Sequence, residues 1–119
     1  MRVDEPVLRI MERMDDGRVV LTVQGEVDMA TVETLGSRLA DICARNEAVT
    51  VDLRRVEFLD CLGLRLLVAQ HHESETSGCR VDFIQGPPAV ERVFELTGTL
   101  SELPFVEIGR APLSAVASA

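Results

Sequence analysis

Hydrophobic and polar residues alternate in two short runs at the start of the chain. The first run has Leu8 and Ile10 on one side, and the second covers Val19–Val23, with the segment Asp-Asp-Gly-Arg between them at 15–18. An Asp-Gly pair between two apolar runs is typical of a β-hairpin. The pattern therefore predicts two antiparallel strands, with the first at or near an edge of the sheet.

A helical pattern follows, and after it a short β-branched run. Apolar residues recur at three- and four-residue intervals between positions 32 and 43, and Asp28 or Thr31 can cap this helix. The run Val49–Leu53 has the composition of a buried strand, which we expect to lie parallel to the second strand. The polar segment 54–57 predicts a bridge from this strand to the next apolar residues.

A second helical segment extends to about position 76. On a helical wheel Leu64, Leu67 and His71 share one face, and we expect this face to pack against the sheet. Leu62 and Leu66 fall on nearly the opposite side of the helix. They are therefore expected to be partly exposed.

The last third of the chain predicts one more strand, a third helix and a short edge strand. Gly78 suits a left-handed helix cap, and Val81–Ile84 suits a buried strand. Pro87 and Gly98 bound the third helix, and the proline within 103–106 is compatible with an edge strand. The order β-β-α-β-α-β-α-β predicts an α/β fold with a mixed sheet of four or five strands and three main helices.

Length and charge limit the classes of function. The 119 residues fit one domain, which we place at 1–108, followed by a flexible tail at 109–119. The net charge of −8 disfavours nucleic acid and anionic membranes and favours a basic partner surface. There is no Trp or Tyr to stack on bases, and no signal-peptide pattern or apolar stretch of membrane-spanning length. We expect a cytoplasmic protein of undefined oligomeric state that does not bind nucleic acids and does not insert into membranes.

Candidate chemistry is sparse. Cys43, Cys61 and Cys79 are odd in number and widely spaced, which indicates neither a disulfide framework nor a zinc site. His71 and His72 are adjacent and point to different faces of a helix, so no metal site and no cofactor are predicted. No nucleophile turn with a nearby histidine base and no glycine-rich phosphate loop are present, so we do not expect an enzyme.

The segment Phe-Leu-Asp-Cys-Leu-Gly-Leu-Arg, residues 58–65, forms a strand-to-helix junction around Asp60–Gly63. Such junctions lie at the carboxyl ends of parallel strands, where α/β folds place ligands and partners. This segment resembles the signature loop of the STAS domain family, whose members include bacterial anti-sigma-factor antagonists. The Gly-Glu-Val-Asp turn at 25–28 and the helix at 87–98 are similar to the same family and stand in the same order.

The resemblance implies a partner and a set of contact residues. In the family, a kinase-like anti-sigma factor of the histidine-kinase-like ATPase class docks on this loop and phosphorylates the hydroxyl residue before the glycine. Here that position is Leu62, which cannot accept phosphate. The resemblance therefore implies docking that is not controlled at the usual site. The residues that we expect to contact the partner are Asp28, Asp60, Cys61, Leu62, Gly63 and Leu66.

Other interpretations of these residues stay open. Asp28 is a helix cap or turn residue, a part of the partner surface, or both, and Cys61 is interpreted chiefly as a small residue that fills space. Leu62 is either a docking residue or a core residue with no functional meaning. The alternative functions are a STAS subunit or scaffold of another multiprotein assembly, and a nucleotide-binding regulatory domain.

Overall fold

Residues 7–106 are described by the computed structural model, and they form an α/β layer structure. The strands are β1 (Leu8–Asp15), β2 (Arg18–Val27), β3 (Ala48–Leu59), β4 (Arg80–Ile84) and β5 (Phe105–Val106). The helices are α1 (Val32–Arg45), α2 (Cys61–Ser77) and α3 (Pro88–Thr97), and a short 3-10 turn covers Leu100–Glu102. The predicted element order and the mixed sheet with three main helices are confirmed. The tail predicted at 109–119 lies outside the described residues.

The strands follow one another across the sheet in the order β1-β2-β3-β4-β5. β1 pairs antiparallel with β2, and the remaining pairs are parallel, so the predicted edge position of β1 and the parallel pairing of β2 with β3 are confirmed. Connections between parallel strands are right-handed, and here each connection leads to the neighbouring strand on the same side, from β2 to β3, then to β4 and then to β5. The three helices therefore lie on one face of the sheet.

The hairpin between β1 and β2 has the predicted two-residue turn. Asp16 has φ 53° and Gly17 has φ 82°, and two successive positive φ angles define the turn type whose twist matches paired strands. The turn closes the register in which Asp15 pairs with Arg18. The Asp-Gly dipeptide thus fixes which side chains of β1 face the helices.

The core lies between the helices and the sheet face that they cover. His71 is buried on the inner face of α2, as predicted, with its ring centroid 6.3 Å from that of Phe83. Phe105 of β5 contacts both Phe83 and Phe94, at 6.1 and 5.4 Å between centroids, and so joins the edge strand to α3. The other large buried side chains include Leu21, Val23, Leu35, Leu39, Ile42, Val49, Val51, Leu53 and Leu67.

The prediction of a polar bridge at 54–57 was wrong, because β3 continues without interruption to Leu59. The pairing of β2 with β3 shifts register twice, between Thr22 and Gln24 and between Gly25 and Glu26. Each irregularity gives β3 one extra residue, which breaks the period of two expected for a strand. Without alternation, the exposed polar residues of 54–58 have the sequence pattern of a loop, although they belong to β3.

The sheet face opposite the helices carries buried polar side chains. Thr50 donates its hydroxyl to Asp82 Oδ1 at 2.7 Å and accepts from Arg18 Nη1 at 3.2 Å. On the same strand as Thr50, Asp52 accepts from Arg54 Nε at 2.9 Å and from Arg54 Nη2 at 2.7 Å. Each buried carboxylate therefore has hydrogen-bond donors, which burial in a sheet requires.

The two carboxylates have opposite pKa shifts. Burial raises the pKa of Asp82, and the Thr50 hydroxyl and Arg18 only partly oppose it. Burial acts in the same direction on Asp52, but hydrogen bonds from Arg54 outweigh it, so the pKa of Asp52 is lowered. At neutral pH the ionised Asp82 therefore disfavours the folded state, whereas the ionised Asp52 favours it.

We expect Asp82→Asn to gain stability relative to the parent protein as the pH rises from about 4 to about 7. A carboxyl with a raised folded pKa contributes stability below its unfolded pKa, and this contribution is lost as the pH rises through the folded pKa. Asn does not titrate, so the difference in the free energy of unfolding should change with pH. Urea unfolding of both proteins across this range measures that difference.

Asp41→Asn is the matched control for this experiment. The Asp41 carboxylate pairs with Arg45 at 3.1 Å on the exposed surface of α1, and such pairs contribute little to stability. Its unfolding free energy should follow that of the parent at every pH. A difference between Asp82→Asn and the parent that stays constant with pH would contradict the raised pKa.

Candidate functional site

The strand-to-helix junction after β3 begins with a side-chain cap. Asp60 has extended backbone angles, φ −97° and ψ 179°, and its Oδ1 accepts the backbone N–H of Gly63 at 2.8 Å. The Asp60 carbonyl accepts the N–H of Leu64 at 3.0 Å, which is the first helical hydrogen bond. A carboxylate at this position satisfies an otherwise unpaired N–H and complements the positive end of the helix dipole. The sequence Asp-Cys-Leu-Gly therefore fixes where α2 starts.

The same junction is tied to the end of β2. The Asp60 N–H donates to the Val27 carbonyl at 3.2 Å. A Cβ atom built on Gly63 would lie 2.6 Å from Val27 Cγ1, 2.8 Å from the Val27 carbonyl oxygen and 2.9 Å from Leu59 Cδ1. Gly63 therefore lets the first turn of α2 approach β2 more closely than any other residue would allow.

Asp28 organises the turn that follows β2. Its Oδ1 accepts the N–H groups of Ala30 at 2.9 Å and of Thr31 at 3.2 Å. The Thr31 hydroxyl donates to the Glu26 carbonyl at 2.7 Å and accepts the Asp28 N–H at 3.0 Å. Thr31 is the N-cap of α1 but makes no side-chain capping bond to the helix. These contacts agree with the interpretation of Asp28 as a turn residue. The part of Asp28 in binding a partner stays a prediction.

Four exposed side chains lie in the two junctions, at the sheet end where β2 and β3 finish together. We call Met29, Phe58, Cys61 and Leu62 the junction surface. The exposed fractions are 72% for Met29, 51% for Phe58 and 41% for Leu62. Cys61 is exposed as well, so its interpretation as a space-filling residue was wrong. The predicted partial exposure of Leu62 is confirmed, and Leu62 is not a core residue.

Two further predicted contact residues lie deeper in the fold. Gly63 is buried against β2 and offers a partner no side chain. Leu66 is half-buried and packs on α1, because a Cβ atom on Gly36 would lie 3.0 Å from Leu66 Cδ1. The structure therefore brings Asp60, Cys61 and Leu62 to the surface of the junction, while Gly63 and Leu66 position them.

The sequence did not single out Met29 and Phe58. Phe58 pairs with Glu26 across β2 and β3, next to the buried pair of Val27 and Leu59. A signal was present, because large apolar residues at strand ends next to a suspected loop are candidates for a binding surface. The register shifts in β3 concealed which of Phe58 and Leu59 faces the core.

A groove of about 680 Å³ adjoins the junction surface, between α2 and the end of α3. Its lining includes Cys61, Leu62 and Arg65 from the first turns of α2 and Thr97 and Thr99 from the other side. Most of its surface is apolar. Leu62 therefore belongs both to an exposed surface and to a concave one.

Within residues 7–106 no three His, Cys, Asp or Glu side chains are grouped closely enough to hold a metal ion. No helix in the described part of the chain has both the length and the apolar character to span a membrane.

Comparison with known proteins identifies the family. The family model described as "Mlab, STAS domain" matches residues 10–103, and the chain belongs to this STAS family. It is similar to the anti-sigma-F factor antagonist RsfB of Mycobacterium tuberculosis, with 38% identity over 69 residues. That alignment covers 57% of this chain and about half of RsfB, 54% of its length. The protein is thus a STAS domain that is similar to anti-sigma-factor antagonists.

Solved structures agree with this assignment. An anti-sigma factor antagonist from Mycobacterium paratuberculosis superposes with a TM-score of 0.73 at 28% identity, covering 93% of this chain and 92% of the other. SpoIIAA in its unphosphorylated form gives a TM-score of 0.67 at 19% identity, covering 92% of this chain and 94% of the other, which shows a shared fold.

We expect Gly63→Ala to lower the free energy of unfolding by roughly 1–3 kcal/mol, the usual cost of overpacking. The added Cβ meets the Val27 backbone, which cannot move without disturbing β2. Gly36→Ala is the matched control, because there the nearest atoms belong to the flexible Leu66 side chain. Urea unfolding measures both variants, and equal losses of stability would contradict the steric role of Gly63.

We expect Asp60→Ala to cost about 1 kcal/mol of stability and Asp60→Asn clearly less. Alanine removes the acceptor for the Gly63 N–H, whereas the Asn amide oxygen retains it. Thermal and urea unfolding of the two variants give the comparison. If both variants lose the same stability, the carboxylate charge and not the capping bond stabilises the junction.

Proposed function

We propose that this protein is an interaction module that binds an anti-sigma factor of the histidine-kinase-like ATPase class through the junction surface, without phosphorylation control at position 62. The observation that carries the proposal is the 41% exposure of Leu62 in the first turn of α2, directly before Gly63. The proposal takes Leu62 as the equivalent of the hydroxyl residue that is phosphorylated in the family, on the resemblance of the loop. A leucine has no hydroxyl to modify.

The chemistry of leucine supports docking in place of switching. A phosphate adds about 1.5 to 2 negative charges, and burying it against a partner is costly. Complete burial of a leucine side chain instead contributes roughly 1.5–3 kcal/mol to association. A partner that covers Leu62 therefore gains affinity that a kinase cannot remove at this position.

The surroundings of Leu62 extend the apolar contact. Met29 and Phe58 are exposed at the same end of the sheet, and the apolar groove beside α2 continues from Leu62. Clusters of exposed apolar residues on an otherwise charged surface are typical of protein interfaces. The net charge of −8 favours a partner whose surface is basic around this contact.

We expect Leu62→Glu to weaken binding of the cognate anti-sigma factor at least about tenfold, because it removes the apolar contact and buries a charge. Calorimetry or surface plasmon resonance with each kinase-like anti-sigma factor of the same genome measures the affinity. The matched control is Met14→Glu, since Met14 is 66% exposed and lies at the other end of the sheet, beside Val19.

The two variants separate the interface from a general charge effect. Both add one negative charge to an exposed apolar position, so a partner repelled by charge alone would respond to both. Weakening by Leu62→Glu alone supports the proposal. An unchanged affinity of Leu62→Glu for a partner that binds the parent protein would place the interface elsewhere.

We expect Leu62→Ser to become a substrate of that partner if the partner is a kinase. Incubation with ATP should add one phosphate at position 62, and phosphorylation should then reduce binding. Peptide mass spectrometry locates the phosphate, and the parent protein serves as the unmodified control at this site. Binding without phosphorylation of the serine would retain the docking part of the proposal and exclude the kinase part.

The alternative functions predict other outcomes of simple experiments. A nucleotide-binding regulatory domain should show a raised melting temperature with millimolar ATP or GTP, which an interaction module should not. A subunit or scaffold of another assembly should be retained in affinity capture together with proteins other than an anti-sigma factor. The groove beside α2 is the place where a small ligand would be expected.

A further inference from the structure

Two of the three cysteines meet in the fold although they are 36 positions apart in the sequence. Cys43 lies in the last turns of α1, and Cys79 lies between α2 and β4. Their Sγ atoms are 2.6 Å apart, and both are free thiols. Cys61 lies at the other end of α2, in the junction surface. The pair therefore belongs to the end of the molecule that carries no part of the candidate site.

The backbone holds both cysteines in place. The N–H of Cys79 donates to the Ser74 carbonyl at 2.9 Å, and the N–H of Arg80 donates to the Glu47 carbonyl at 2.9 Å. The second bond continues the pairing of β4 with β3, in which Ala48 is opposite Arg80. The segment with Cys79 is thus fixed next to the short connection between α1 and β3. No rearrangement of the chain is needed to keep the two sulfur atoms together.

The environment of the pair makes one thiol accessible and the other not. Cys79 is 2% exposed, whereas Cys43 is half-buried. An oxidant from solution therefore reaches Cys43 first, and Cys79 is the neighbour that can react with it next. By accessibility, Cys43 is the thiol that is oxidised first, and Cys79 is the neighbouring thiol that can resolve it.

We propose that Cys43 and Cys79 form an intramolecular disulfide under a hydroperoxide oxidant, which joins the end of α1 to the start of β4. The Cys43 thiolate attacks one oxygen of hydrogen peroxide and the O–O bond breaks, so that Cys43 becomes a sulfenic acid and the released hydroxide takes up a proton to form one water. The Cys79 sulfur then attacks the Cys43 sulfur, the S–S bond forms, and the sulfenic oxygen leaves as a second water. The two sulfurs lose two electrons and two protons in total, and the peroxide is reduced.

The reaction is expected to be slow. Burial raises the pKa of Cys43 to about 12, with further contributions from the neighbouring Cys79 thiol. The thiolate is the reactive form, so little of it is present at neutral pH. Disulfide formation should therefore need sustained oxidation and should become faster as the pH rises.

The bond would enclose a large part of the fold. The segment from Cys43 to Cys79 contains β3, the junction and all of α2. A cross-link over a segment of this length restricts the unfolded chain and stabilises the folded one. The junction surface lies at the opposite end of β3 and α2, so its geometry should not change.

The test uses a Cys61→Ser variant, in which only the proposed pair remains of the three cysteines. After treatment with hydrogen peroxide, the denatured protein should show no free thiols, and its mass should fall by two hydrogens. Peptide mapping without reductant should join the peptides that contain Cys43 and Cys79. The melting temperature should rise by on the order of 10 °C and return to its starting value with reductant.

Cys43→Ser and Cys79→Ser in the same background are the matched controls, and neither should show a reductant-sensitive rise. Cys79→Ala replaces the serine variant if the hydroxyl prevents folding at this buried site. A mass gain of one or two oxygens on Cys43 without a cross-linked peptide would overturn the proposal. Cross-linking only between two copies of the chain would overturn it as well.

Discussion

The hydrogen bond from the Asp60 N–H to the Val27 carbonyl is the contact on which the candidate site depends. It joins the ends of the parallel strands β2 and β3, at the point where both strands leave the sheet. The Asp60 side chain then caps α2, and Gly63 lets the helix lie against Val27. The residues between them, Cys61 and Leu62, have no freedom to turn inward. Their exposure follows from constraints on their neighbours and not from their own polarity.

The consecutive strand order separates two regions of the molecule. Because β2, β3 and β4 are parallel neighbours, the ends of β2 and β3 meet at one edge of the layer, and the starts of β3 and β4 meet at the other. The first edge carries exposed apolar residues, and the second carries Cys43 and Cys79. A change in covalent bonding at one edge can therefore alter stability without altering the surface at the other.

Sequence patterns predicted the element order, the hairpin and the inner face of α2, because each rests on local periodicity or on a residue with restricted backbone angles. The Asp-Gly turn and the αL cap at Gly78 are examples. The second half of β3 escaped prediction because two register shifts remove its alternation. The exposure of Phe58 and the contact of Cys43 with Cys79 depend on how the strands pair. Strand pairing joins distant parts of the chain and cannot be predicted from a local sequence pattern. For the candidate site, the residues of the Asp60–Gly63 loop were found in sequence, but their division into exposed and supporting members was not.

The preformed first turn of α2 also has a kinetic consequence. A segment that is already capped and packed against β2 loses little conformational entropy when another molecule covers it. Rigid surfaces of this kind associate without a slow folding step, so the encounter rate is set by diffusion and by charge. With a net charge of −8, association with a basic partner would accelerate at low ionic strength, while the lifetime of the complex would depend on the apolar contact alone. Electrostatics would thus set the rate of association, and the apolar contact around Leu62 would set the lifetime of the complex.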